Sequence, residues 1–380
     1  MPVPSAAIAS LLPLHVVGGG ERFTLDTHRS ALAAGDGVDL WCAADRHPSS
    51  EAHARRMARP WLRLEREGGA VVPCEKIPFR EFLRRQGDYD TVVVHQYLAD
   101  VCTIDILAAA PPRQRVSLAS LGAESIAKVF PRVFEPHRGV DVVEISAYAA
   151  ARSAERGVHA CSHSAGVWRA DLRPLARRTA TGPLQVVAIG RLLPHKAFEI
   201  AIDAVGGMGA DASLSIVGPP SGDHAYERHL RSRARRGGNS RITGLLPDAE
   251  RDLLLARSDV LVANSSHLTW AGKRLDQPEL LGLVILEAVA SGVLPIVSDI
   301  PSFREVATAL GLEEWIYPER DVAALRAALR RAAALSADDR LALLVEARAA
   351  VERSYLWDDY WARLTGRGPM VEALPSARAA

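Results

Sequence analysis

The chain has 380 residues, which at roughly 150 per domain predicts two to three domains, and 48% apolar residues are ample for large buried cores. Its 46 basic and 45 acidic side chains leave a net charge of +1, so no whole-molecule field draws it to nucleic acid or to an anionic bilayer. The four cysteines, at 42, 74, 102 and 161, contain no Cys-x-x-Cys pair and are too sparse for a secreted disulfide framework, which predicts a reducing, cytoplasmic setting.

From the amino terminus, MPVPSAAIASLLPLHVV carries three prolines and no basic stretch, and Glu287 interrupts the most apolar later run, so neither a signal peptide nor a membrane span is expected. Short β-branched runs follow at 38–43 (VDLWCA), 70–74 (AVVPC), 90–95 (DTVVVH), 115–120 (RVSLAS) and 140–146 (VDVVEIS), separated by stretches with helical spacing. Unbroken apolar runs suit strands covered on both faces, the pattern of a parallel sheet between helices. A first domain is predicted over 1–170. Residues 171–185, DLRPLARRTATGPLQ, lack periodicity and read as a linker. Strand and helix alternate again over 186–354, from LQVVAIG and FEIAIDAVGGM through ASLSIVG, RITG and DVLVANS to LVILEAVASG and LPIVS. The aromatic-rich helix of 355–370 is expected to return to the first domain, and 371–380 to form a tail. The fold class is α/β: two Rossmann-like, doubly wound domains facing a cleft, with ligands at the carboxyl ends of the strands.

Two segments of the second half carry the chemistry. Gly190-Arg191-Leu192-Leu193-Pro194-His195-Lys196 lies where a strand turns into a helix. Such a turn presents free N–H groups at a helix start, and a guanidinium fork with an ammonium turns it into a diphosphate clamp. The lysine is informative because the chain has only four, at 76, 128, 196 and 273. By itself this loop would read as an ordinary polar turn. Further on, Glu279 and Glu287 stand eight apart, with Gly282 between them opening an apolar helix. The glycine admits close backbone approach, and the helix dipole favours a phosphate. A carboxylate inside an apolar helix is costly unless it is used, either by a ribose diol or by a neighbouring arginine.

GRLLPHK followed by PELLGLVILEAVASGVLPIVS resembles the donor-binding domain of retaining nucleotide-sugar glycosyltransferases of the GT-B fold, family four, the glycosyl transferases group 1. ASLSIVGPPSGD, RITGLLPDAERDLLLARSDVLVANSS and SYLWDDYWARL are similar to further segments of that family in the same order, and VVGGGERFTLDTHRSALAAGDGVDLWCA and HSAGVWRADLRP resemble parts of its first domain. The resemblance implies that Arg191 and Lys196 hold the diphosphate, Glu287 the ribose hydroxyls and Glu279 the sugar hydroxyls. It further implies that Gly190, Gly282 and backbone N–H groups near Leu283 and Val284 meet the phosphates, that backbone around Leu245 lies beside the nucleobase, and that Gly18, Gly19 and Gly20 close over the diphosphate. The implied activity is transfer of a hexosyl group from a nucleoside-diphosphate sugar to a small hydroxylated acceptor, with the sugar nucleotide as co-substrate and neither cofactor nor metal. The Arg-rich, Lys-poor usage associates the chain with natural-product biosynthesis.

Three departures stand out. The family's first-domain histidine is missing, with Leu121 before Gly122, and His95 at the end of TVVVH is a substitute or a structural histidine. Ala197 stands where the family has glycine after the lysine. The segment NSSHLTWAGKRLDQPELLG is longer than the family's loop, which predicts a part in sugar or acceptor selectivity. Other motifs read as structure: Asp88-Tyr89-Asp90 as polarity ahead of a strand, His159-x-Cys161-x-His163 as a loop, and the arginines of 228–236 as a solvated helix face. Rival readings are a nucleotide-sugar epimerase or a phosphorylase on the same scaffold, and a catalytically silent nucleotide-sugar-binding subunit.

Overall fold

In the run Thr91–His95 every residue from Val92 onward is buried, as expected of a strand with helices on both faces. A computed structural model describes residues 5–11, 14, 19–43, 60–67, 70–95, 101–120, 140–176 and 182–367. They divide into two units, one formed by Met1–Ala165 with Trp357–Ala380 and the other by Gly166–Leu356.

The first unit holds strands β1 (Ala6–Ser10), β2 (Val38–Ala43), β3 (Pro60–Glu67), β4 (Ala70–Pro78), β5 (Thr91–His95), β6 (Arg115–Ser120), β7 (Val140–Glu144) and β8 (Cys161–Ser162) in the order β4-β3-β2-β1-β5-β6-β7-β8. From β2 to β8 the pairs are parallel, whereas β2, β3 and β4 pair antiparallel. This edge departs from the strict alternation of strand and helix expected from the sequence. It arises because PWLRLERE, next to AVVPCEKIP, folds straight back as a hairpin instead of crossing over through a helix. Its ladder is tied by Arg63 to Glu75 at 3.4 Å and to Asp39 at 3.5 Å. Beneath the hairpin Trp61 stacks on Phe79 and Phe82 at centroid distances of 4.8 and 4.7 Å. Helix α1 (Gly19–Ala33) follows β1, and α2 (Phe79–Arg85), α3 (Val101–Ala109) and α4 (Ala147–Ala154) cross between later strands.

The second unit is a wholly parallel sheet of β9 (Leu184–Ile189), β10 (Ala212–Val217), β11 (Ser240–Gly244), β12 (Val260–Ala263), β13 (Leu294–Ser298) and β14 (Ile316–Tyr317), in the order β11-β10-β9-β12-β13-β14. Helices α5 (Phe198–Gly206), α6 (His224–Gly237), α7 (Asp248–Arg257), α8 (Leu283–Ala290) and α9 (Pro301–Ala309) alternate with the strands, and α10 (Val322–Ala334) and α11 (Ala337–Ser354) complete the unit. Asp223, Asp321 and Ser336 cap α6, α10 and α11 by accepting first-turn N–H bonds. Arg348 of α11 donates to the carbonyls of Val289, Ala290 and Arg173, which satisfies the carboxyl end of α8 and ties Arg173 to it. The last helix among the described residues, α12 (Tyr360–Leu364), belongs to the first unit.

Candidate functional site

In the second sheet β9 lies between β10 and β12, so the connections leave its two sides in opposite directions. Ligands of open α/β sheets bind at the carboxyl ends of the strands flanking such a switch. Here those ends lead into Gly190 and Asn264.

Gly190 leaves β9 with φ +154° and donates its N–H to Val217 at 2.9 Å. A Cβ on Gly218 would lie 1.9 Å from the Gly190 carbonyl oxygen, so the turns after β9 and β10 meet at a distance only glycine permits at 218. Residues Pro194–Lys196 form one 3₁₀ turn, and Ala197 then takes the left-handed conformation (φ 46°, ψ 39°) before α5 begins. The turn is held on both sides of Ala197: the His195 carbonyl accepts the Ser266 N–H at 2.8 Å, and the Phe198 N–H donates to the Tyr226 hydroxyl at 3.0 Å.

The Arg191 side chain is exposed, with no ion-pair partner among the described residues. The Lys196 ammonium instead pairs with Glu279, whose Oε1 also accepts from Ser265 Oγ at 2.8 Å and lies 3.8 Å from His195 Nε2. Burial alone would raise the Glu279 pKa, but the charge of Lys196, helped by His195 and Ser265, holds it below the ordinary carboxylate value. His195 is shifted down by burial, and the charges of Lys196 and Arg191 oppose the pull of Glu279. The result is a charged carboxylate and ammonium joined at the switch, with a cationic fork free beside the lysine's turn.

Gly282 starts α8 with φ +99°, and a Cβ there would lie 2.7 Å from the Phe303 ring. Leu283 and Val284 form the first turn of α8, whose N–H groups have no partners within the helix. Glu287 is half-buried one turn further on. Leu245 follows Gly244 (φ +79°) at the end of β11 and is 59% exposed.

The remaining candidates belong to the first unit. Gly19 and Gly20 are the first residues of α1, and Gly18 lies outside the described residues, as do Leu121 and Gly122. His95 ends β5 opposite Ser10 of β1, the switch point of that sheet. Its ring is 0% exposed, lies 6.0 Å from Phe23, and has no hydrogen-bond partner at either nitrogen among the described residues. Burial pushes its pKa down to about 3, so it is neutral at physiological pH.

Sequence reasoning assigns no role to Ser265, Glu199, Tyr226 or Arg320. Only the position of Ser265 two residues after a switch-point strand could have drawn attention to it, because the other three are brought together by tertiary packing.

Residues 176–348 match the family model of glycosyl transferases group 1. Among curated proteins no sequence matches the chain. Among solved structures the chain is similar to a glycosyltransferase from Rickettsia africae (TM-score 0.72, 12% identity, 96% of this chain and 100% of that one). It is also similar to HepE from Anabaena in complex with UDP and glucose (TM-score 0.68, 12% identity, 96% and 99%). A third is AviGT4, a glycosyltransferase involved in avilamycin A biosynthesis (TM-score 0.60, 19% identity, 96% and 97%). Residues 176–348, which hold the parallel sheet and its switch point, are thus similar to the glycosyl transferases group 1 model, and the chain has the GT-B fold.

Proposed function

We propose that the chain is a retaining, metal-independent hexosyltransferase that moves a sugar from a nucleoside diphosphate to a small hydroxylated acceptor. The observation that carries this reading is the Arg191–Lys196 turn at the β9–β12 switch, with Glu279 paired to the lysine and Ser265 bonded to Glu279. The barrier to sugar transfer is departure of the diphosphate from an oxocarbenium-like carbon. Arg191 and Lys196 would meet the negative charge that grows on the leaving oxygen, and preorganised donors of this kind are worth about 3 to 4 kcal/mol each. Glu279 orients the ammonium before the donor arrives, and then serves the sugar hydroxyls. First-turn N–H groups of Leu283 and Val284 serve the phosphates, and Glu287 the ribose diol.

As the bond from the anomeric carbon to the phosphate oxygen breaks, the acceptor oxygen forms its bond on the same face and its proton passes to the departing phosphate. The configuration is retained, no protein nucleophile is needed, and the products are glycoside and nucleoside diphosphate. The UDP and glucose held by HepE make UDP-glucose the first donor to test, and the avilamycin role of AviGT4 favours natural-product acceptors.

Release of nucleoside diphosphate should be followed with UDP-, GDP- and ADP-hexoses against a panel of hydroxylated acceptors, with and without EDTA. Because two side-chain cations supply the counter-charge, the chelator should leave the rate nearly unchanged, and NMR of the product should show the donor's anomeric configuration. Abolition by EDTA with rescue by manganese, or an inverted product, would overturn the corresponding part of the reading.

A further inference from the structure

Only two non-glycine residues among those described have positive φ, Ala197 at 46° and Arg320 at 61°, and both adjoin one buried carboxylate. Glu199, in the first turn of α5, is 2% exposed. Its Oε1 accepts from Arg320 Nη1 at 3.1 Å, and its Oε2 from the Tyr226 hydroxyl at 2.8 Å. That hydroxyl in turn receives the Phe198 N–H, the first amide after Ala197. Arg320 uses the same Nη1 to reach the Leu268 carbonyl at 2.8 Å.

Leu268 opens a small hairpin in the long loop before Glu279. Leu268 bridges to Arg274, and the Leu275 N–H donates to His267 at 2.7 Å. Glu319 accepts both the backbone N–H and the ring nitrogen of His267 at 2.8 and 2.7 Å, and Trp270 stacks on His229 of α6 at 4.6 Å. Immediately before the hairpin, Ser266 binds the His195 carbonyl. The contacts close a ring from His195 through Ser266, Leu268, Arg320, Glu199 and Tyr226 to Phe198, and the strained turn with Lys196 and Ala197 lies inside it.

Strained backbone persists where surrounding contacts over-determine it, and such places cluster at functional sites. Arg320 itself occupies the left-handed conformation, which is unfavourable for an arginine. Resting on the transferase reading above, we propose that Arg320 and Glu199 are positioning residues which fix the Lys196 turn and make the 267–275 hairpin its support. They touch no substrate and act through Lys196, so loosening them should reduce turnover more than nucleotide affinity.

The test is a double-mutant cycle on the full chain. Glu199→Gln removes the charge and leaves one acceptor oxygen where Arg320 and Tyr226 now use two, and Arg320→Gly removes the tether while relieving the backbone. Each should lower kcat by about tenfold or more while changing the Kd of nucleoside diphosphate by less than about threefold, since a displaced group costs most where charge develops. In a Lys196→Ala background the same substitutions should cost almost nothing further, because residues acting through one group are not additive. Full additivity would overturn the proposal, since a purely structural role would persist without the lysine. If Arg320→Gly fails to fold, Glu199→Gln decides. If the wild type transfers sugar from no donor, the transferase reading falls separately. Positioning is then judged by hydrogen exchange, which should quicken at the amides of 195–198 and 266–275 in Glu199→Gln and leave β9 unchanged; unaltered exchange there would overturn it.

Discussion

Lys196 has two partners in prospect, the carboxylate it holds in the free protein and the diphosphate it is proposed to meet. Its removal should therefore register in two independent measurements. Lys196→Ala should lower kcat/KM by about 100-fold or more, the usual cost of losing one donor to a developing oxyanion. The same substitution alters the acid stability of the protein. Glu279 has a folded pKa below its ordinary value of 4.5, so the pairing contributes stability above that value which is lost as the pH falls through the folded one. In the variant the largely buried carboxylate loses its counter-charge. The gap in unfolding free energy between wild type and variant should be widest near neutrality and close on acidification below 4.5. A gap independent of pH would separate Glu279 from Lys196. The neighbouring Ala197 carries a different cost, since a left-handed alanine is strained and glycine is not. Ala197→Gly should raise stability by about 1 kcal/mol, which for a unit of this size is about 2 to 4 °C in Tm. Thermal unfolding checks it, and an unchanged or lower Tm would mean that the tied ends of the turn absorb the strain.

Helix α8 shows how an element can depend on one position. Its start requires φ +99° at residue 282, and the space a Cβ would fill is occupied by Phe303. Gly282→Ala should cost more than about 1 kcal/mol from the backbone and a further 1 to 3 from overpacking. It should also weaken nucleoside-diphosphate binding, because the first-turn N–H groups of α8 shift with it. Denaturant unfolding with calorimetry would register both, and wild-type values in both would refute the dependence. Elements such as this one were legible because their determinants are local. The runs at 38–43, 115–120 and 294–298 are strands β2, β6 and β13, and LVILEAVA is helix α8. Strand β3 was not, because Trp61, opposite Ala43, and Leu64, opposite Leu40, stand an odd number of residues apart on opposite faces of the sheet and are both buried, so no alternation marks the run. The site divides in the same way. Gly190–Lys196 and Glu279–Gly282 can be read at a strand-to-helix turn and a helix start. The ring through Glu199, Tyr226 and Arg320 cannot, because its members come from three separate segments and no spacing relates them.

At the scale of the whole chain, the first unit is not continuous in sequence. Its polypeptide leaves at Ala165 and returns at Trp357, and the returning segment is built into the core. Trp357 and Tyr360 pack edge-on to Phe23 at 4.6 and 5.3 Å, Ser30 donates to the Trp357 carbonyl at 2.5 Å and accepts the Trp361 N–H at 3.0 Å, and Arg363 reaches the Ser164 carbonyl at 3.0 Å. Asp36 anchors both Trp361 and Arg367. Truncating one buried Phe or Trp to Ala commonly costs about 3 to 5 kcal/mol. Removing Trp357, Tyr360 and Trp361 together would on that scale cost about 9 to 15 kcal/mol, as much as the roughly 5 to 15 kcal/mol that holds a typical domain. A chain ending at Leu356 should therefore lose the first unit, while Gly166–Leu356 keeps its own sheet and helices. Limited proteolysis should cleave the shortened chain throughout 19–160 and leave a resistant fragment beginning near residue 166. Equal resistance of the first unit in the shortened and full chains would show that the returning segment only decorates a core complete without it. Loss of the resistant fragment as well would show that the second unit needs the first in order to fold.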